Sequence, residues 1–152
     1  MKHTRKINHA THSKTRKSKG SSSTKRQIIV YLLQMLNTIK LYHWNTLTFS
    51  VHKATDELYG ELNTLIDQFV EVLLGKHNTV SEKHKHEILN IKSLSLKVYK
   101  DNGMFSREIE TYKKYLISLN SVFHQSEHSD VLNIRDEILA TLNKVSYLLT
   151  LK

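Results

Sequence analysis

The sequence predicts an all-α fold, a four-helix bundle preceded by a basic, flexible N-terminal arm, and three observations carry that prediction. The 152 residues include no Pro and only four Gly, which leaves few positions suited to hairpin or sandwich turns. Apolar residues recur at spacings of three and four in four long stretches, the period of an amphipathic helix. Charge is unevenly placed: residues 1–23 hold Lys2, Arg5, Lys6, Lys14, Arg16, Lys17 and Lys19 and no acid, seven of the nine net positive charges. A chain of this length fits one compact domain.

Residues 1–23 are nearly free of large apolar side chains, and no apolar stretch follows the basic start. Such a segment is a poor core former and a poor signal peptide, so a disordered basic arm is expected over 1–23 and the folded domain over 24–152. His3, His9 and His12 within the arm read as solvated. The Ser21-Ser22-Ser23-Thr24 cluster suits a helix N-cap, and Ile28, Ile29, Leu32, Leu36 and Ile39 carry a first helix over about 25–47. A second follows over about 51–75, ending at Gly75, whose position suits a left-handed C-cap. The stretch KHNTVSE reads as a linker. Residues 83–100 read as a short helix or an irregular crossover leading to a turn at Asn102-Gly103, and His84 and His86 within them are given no role. Ser106, Glu108 and Glu110 open a third helix with Ile109, Tyr112, Leu116 and Leu119 on one side. A fourth runs from Asp130 to the end with Val131, Ile134, Ile138, Leu142, Val145 and Leu149 in register.

Two short connections and one long middle segment give a bundle with a crossover between its second and third helices, the ferritin-like topology among bundles. The absence of Cys excludes disulfides, thiolate catalysis and Cys-held zinc. No run reaches the roughly 18 apolar residues of a membrane span. Any metal must be held by His, Asp and Glu.

The segment HWNTLTFSVHKATDELYGELNTLIDQFVE, residues 43–71, supplies such ligands in order. At about 100° per residue, Asp56, Asp67 and Glu71 lie about 40°, 60° and 100° from His52, one narrow stripe of the second helix. Leu58, Leu62, Leu65, Phe69 and Leu73 form the neighbouring core face at about 220–300°, while Glu57 and Glu61, at about 140° and 180°, read as ordinary solvated carboxylates outside the set. Asp56 and Asp67 are about 16 Å apart along the axis at ~1.5 Å per residue, so one helix cannot bring both to a single metal. An antiparallel second helix from a two-fold-related copy would set His52 and Asp56 of one chain beside Asp67 and Glu71 of the other, with His43 arriving from the side. Carboxylate oxygens with imidazole suit Fe(II), Mn(II) or Zn(II).

These residues resemble the Dps mini-ferritins, the DNA-binding proteins from starved cells. The likeness rests on His43-Trp44-Asn45, Phe49, His52, Asp56, Asp67 and Glu71, covers about residues 30–75 and reaches more weakly into the C-terminal helix. One departure is the connection Thr46-Leu47-Thr48, which is shorter than in typical members and lacks their Gly and Pro. The resemblance implies a ferroxidase site shared between subunits, with His43, His52, Asp56, Asp67 and Glu71 as metal ligands and iron, Fe(II) becoming Fe(III), as the metal. It also implies hydrogen peroxide as oxidant, ferric iron stored in a homododecamer built from two-fold dimers, protection against oxidative stress, and a cytoplasmic, nucleoid-associated location. Trp44 reads first as a core aromatic and second, by the resemblance, as an absorber of radical equivalents.

The arm is an electrostatic footprint for nucleic acid, and with no aromatic residue it predicts sequence-independent binding to DNA through Lys2, Arg5, Lys6, Lys14, Arg16, Lys17 and Lys19. The alternative is a structural DNA-packaging or virion protein on the same bundle without ferroxidase turnover. A divergent viral source would place it in the virion, the host nucleus or a virus factory.

Overall fold

A computed structural model describes residues 17–76 and 81–151, with side chains described from Ser22 onward. The expected DNA contacts Lys2, Arg5, Lys6, Lys14 and Arg16 lie outside the described residues, as do the side chains of Lys17 and Lys19. The described chain is all-α. Its helices are α1 (Lys17–Asn45), α2 (Phe49–Gly75), α3 (Glu82–Leu89), α4 (Asn102–Ser118) and α5 (Gln125–Leu148), with a 3₁₀ turn at Leu119–Ser121. No helix among the described residues is long and apolar enough to cross a membrane.

Each helix buries one stripe and meets its neighbours through it. Leu32, Met35 and Ile39 of α1, Leu62 and Phe69 of α2, Phe105, Ile109 and Leu116 of α4, and Ile138 and Leu142 of α5 are fully enclosed in one core. Cross-helix contacts fix the directions. Lys25 of α1 donates to the Leu73 carbonyl at 3.3 Å, while His43 meets His52 at the opposite end, so α1 and α2 are antiparallel. Lys144 pairs with Glu61 at 2.6 Å and Lys76 with Asp130, so α5 is antiparallel to α2. Tyr31 stacks on Tyr115 and Tyr42 on Phe105, so α4 is antiparallel to α1.

α2 and α4 consequently run the same way, and the chain between them must travel the length of the molecule. It does so along α1. α3 docks at one end, with Ile88 fully buried and Arg26 donating to the Glu87 carbonyl. At the other end Asn45 Nδ2 donates to the Tyr99 carbonyl at 2.7 Å.

Four local expectations are corrected. α1 begins at Lys17 rather than near residue 25, and the serine cluster lies inside it. Ser22 is buried and contacts His84 Nδ1 at 3.2 Å, so docking onto α3 overrides the serines' capping preference. The left-handed cap at Gly75 is not formed: Lys76 stays right-handed at φ −61°, ψ −14°, and its ammonium ties the helix end to the Glu127 carbonyl and Asp130. Asn102-Gly103 is the first turn of α4, not a loop, because the Asp101 carboxylate caps it by accepting from Met104 N–H at 2.8 Å. α5 starts at Gln125, and its backbone breaks at His128 (φ −132°, ψ 27°), just ahead of Asp130, where the apolar period begins.

Candidate metal centre

The hairpin of α1 and α2 brings two histidines face to face. His43 sits in the last turn of α1, His52 in the first turn of α2, and only Thr46, Leu47 and Thr48 separate the two helices. The short connection is tight: Thr46 N–H donates to the Tyr42 carbonyl and His52 N–H to the Thr48 carbonyl, both at 2.9 Å. The rings stack with centroids 4.0 Å apart and 25° between planes.

Their hydrogen bonds are reciprocal. His43 Nδ1 lies 3.1 Å from the His52 carbonyl oxygen, and His52 Nδ1 lies 3.0 Å from the His43 carbonyl oxygen. A carbonyl only accepts, so both Nδ1 atoms carry a hydrogen, and a ring in its neutral form keeps its lone pair on Nε2. Backbone carbonyls thus orient both rings as a metal site needs. Thr55, buried beneath the pair, places Oγ1 3.4 Å from His43 Nδ1 and donates to the Val51 carbonyl at 2.8 Å.

Asp56 approaches the same point, with Oδ1 3.6 Å from His43 Nε2 and 3.9 Å from the Lys40 ammonium. That ammonium also lies over the Tyr59 ring at 4.4 Å and the Trp44 ring at 5.6 Å. Asp67 and Glu71 lie about three and four turns beyond Asp56 along α2 and are exposed. Among the described residues, no three His, Asp or Glu side chains converge as a group able to hold a metal ion within one chain. His43 meets His52 on one side and Asp56 on the other, and Asp67 and Glu71 stand apart from them.

Two surface readings change. Trp44 is not a core aromatic: it is 67% exposed, and with Leu47 and Phe49 it rims the histidine pair with uncovered apolar surface. Glu61 is not a free solvated carboxylate but pairs with Lys144 across the α2–α5 groove. Lys40 and Thr55 were not singled out from the sequence. The spacing of four between Lys40 and Trp44 is the one signal that could have drawn attention to the former.

A family model matches residues 43–149, from the first histidine of the pair to the residue after α5. The chain belongs to the family of unknown function DUF5856. This DUF5856 chain is also similar to the "DNA protection during starvation protein" of Helicobacter pylori (strain J99 / ATCC 700824), with 28% identity over 116 residues, 71% of this chain and 81% of that protein. No solved structure matches it.

Proposed function

We propose that this DUF5856 chain is a Dps-like mini-ferritin on a ferritin-like four-helix bundle. It oxidises Fe(II), its substrate, with hydrogen peroxide, stores the ferric product inside a homododecamer, and protects DNA that its basic arm binds. The observation that carries the reading is the His43–His52 pair, whose Nε2 lone pairs are left free beside Asp56 on a site that stays incomplete until carboxylates arrive from elsewhere.

The missing ligands have a source in the symmetry of α2. The pairs His52/Glu71 and Asp56/Asp67 are centred on the same point of the helix, between Glu61 and Leu62. A two-fold axis through that point lays α2 of a second copy antiparallel and generates two equal sites, each with His43, His52 and Asp56 of one chain and Asp67 and Glu71 of the other. Gly60 lies on the same stripe beside the axis, and nothing stands within 4 Å of the position its Cβ would take. A helix-interior Gly costs about 1 kcal/mol relative to Ala, a cost that close approach of two helices explains. Trp44, Leu47 and Phe49 supply apolar surface for the same interface.

In the completed site the two imidazoles bind Fe(II) through Nε2, and the three carboxylates stabilise the added positive charge as it becomes Fe(III). Lys40 holds Asp56 at the rim. The similarity to a protein named for DNA protection supports the DNA role, and the resemblance supplies the peroxide, the dodecamer and the cytoplasmic, nucleoid-associated setting.

The test is stopped-flow Fe(II) oxidation by peroxide. Asp67→Ala with Glu71→Ala, both exposed changes, should abolish the fast phase without loss of helicity, and unchanged kinetics would refute the ligand set.

A further inference from the structure

A second polar centre lies on the opposite side of α1, between α1, α4 and the crossover. Glu108 is only 8% exposed, yet it is an ionisable group among aromatic rings. Lys97 Nζ donates to its Oε1 at 2.8 Å, and the phenols of Tyr99 and Tyr112 interact with the same carboxylate. A cavity of about 50 Å³ opens beside it, roomy enough for water. Tyr31 connects to Tyr112 edge to face at 6.0 Å and stacks on Tyr115 at 3.6 Å. Tyr99 meets Phe105 at 6.3 Å, and Phe105 stacks at 3.9 Å on Tyr42, the residue before His43. Five of the seven tyrosines thus fall into two runs of ring contacts, one of them beginning beside the histidine pair, and Glu108 lies between the two.

Stability alone does not call for a carboxylate here, since an apolar side chain of similar volume serves a core as well or better than a buried ion pair. A carboxylate flanked by two phenols that each belong to a run of ring contacts does have a chemical use. We propose that Tyr99, Glu108 and Tyr112 form a trap for one-electron oxidants. A phenol of the pair gives up one electron through the ring series and its proton to Glu108, leaving a neutral tyrosyl radical and a carboxylic acid. An oxidant such as a hydroxyl radical takes the electron with a solvent proton and leaves as water.

The surroundings favour coupled loss of electron and proton. Burial pushes the Tyr31 phenol up to about 12 and those of Tyr99 and Tyr112 further in the same direction, so no phenolate is available beforehand. For Glu108, burial acts upward, but hydrogen bonds from Lys97, Tyr99 and Tyr112 outweigh it and hold the carboxyl below its usual range. The acceptor is therefore ionised and in place, and an oxidised phenol is acidic enough to protonate it. The trap does not depend on the iron chemistry proposed above, because any one-electron oxidant at the histidine end would load it.

Trp44, the single tryptophan, is exposed in the single chain and stands next to His43, which makes it the entry point for a test without iron. In full-length protein carrying Tyr59→Phe and Tyr147→Phe, only the five clustered tyrosines remain. Pulse-generated azide radicals should produce a Trp44 radical that converts to a tyrosyl radical at a rate independent of protein concentration. Adding Glu108→Gln, which keeps the shape but cannot take the proton, should slow the conversion several-fold. Glu108→Asp should recover part of it, and Tyr99→Phe with Tyr112→Phe should lower the tyrosyl yield several-fold. Undiminished conversion with Glu108→Gln, or an undiminished yield without Tyr99 and Tyr112, overturns the assignment. Unfolding curves for each variant separate these outcomes from a loss of fold.

Discussion

His43 and His52 each donate Nδ1–H to the other's main-chain carbonyl, at 3.1 and 3.0 Å, so the end of one helix and the start of the next fix both rings in one tautomer. Histidine ¹⁵N NMR of the metal-free protein above neutral pH should therefore show both residues protonated at Nδ1 and bare at Nε2. The opposite tautomer at either ring would contradict the pairing and remove the lone pair on which iron binding depends.

Gly60 offers a test of the proposed two-fold contact that leaves the ligands untouched. Gly60→Ala should be neutral or raise helix stability by up to about 1 kcal/mol. Gly60→Leu, which in the isolated chain meets open space, should hold the protein in small species by light scattering while circular dichroism stays helical. Normal assembly of Gly60→Leu would place the interface elsewhere.

The helix faces were legible in the sequence because burial has a period. Leu58, Leu62, Phe69 and Leu73 of α2 are buried where the 3.6-residue pattern sets them. The helix ends were not, since they are decided by single side chains or distant partners: the Asp101 cap, the Lys76 tie to Asp130, the docking of Ser22 beneath α3. Periodicity also cannot tell a residue that faces the core from one in a last helical turn that faces solvent, as with Trp44. Of the site, the stripe and the spacing of His52 and Asp56 were readable. The reciprocal histidine bonds depend on the shape of a three-residue connection, and the Glu108 cluster on contacts between separate elements, and neither leaves a local signal.

Acid sensitivity should report Glu108. Its folded-state carboxyl is held below the ordinary value of 4.5, because the bonds from Lys97, Tyr99 and Tyr112 outweigh the upward effect of burial. The stability it contributes is fully present above the ordinary value and is lost as pH falls through the depressed one. Urea unfolding of the wild type and Glu108→Gln should show a gap at neutral pH that narrows as pH drops through the carboxylate range. A gap independent of pH would contradict this.

The start of α1 at Lys17 sets where the proposed arm can be cut. Removing residues 1–16 takes away Lys2, Arg5, Lys6, Lys14 and Arg16 and leaves every described helix whole. DNA affinity should fall while Fe(II) oxidation persists. If about four charges per arm contact phosphates, log affinity of the full chain should fall with log salt at a slope of about −3.6 per engaged arm, steeper for an oligomer presenting many arms. Gel shifts on two unrelated duplexes at two salt concentrations measure this, and equal binding without the arm would reject it as the DNA contact.

The central claim, one iron site built by two chains, is tested most directly by complementation. His52→Ala and Glu71→Ala should each be inactive in Fe(II) oxidation by peroxide, because each spoils every site of its own homodimer. After dissociation, mixing and reassembly, a mixed dimer holds one site that keeps all of its ligands and one that lacks both His52 and Glu71. The account predicts that the mixture regains part of the fast oxidation phase, whereas a reassembled mixture as inactive as its two components would contradict a shared site.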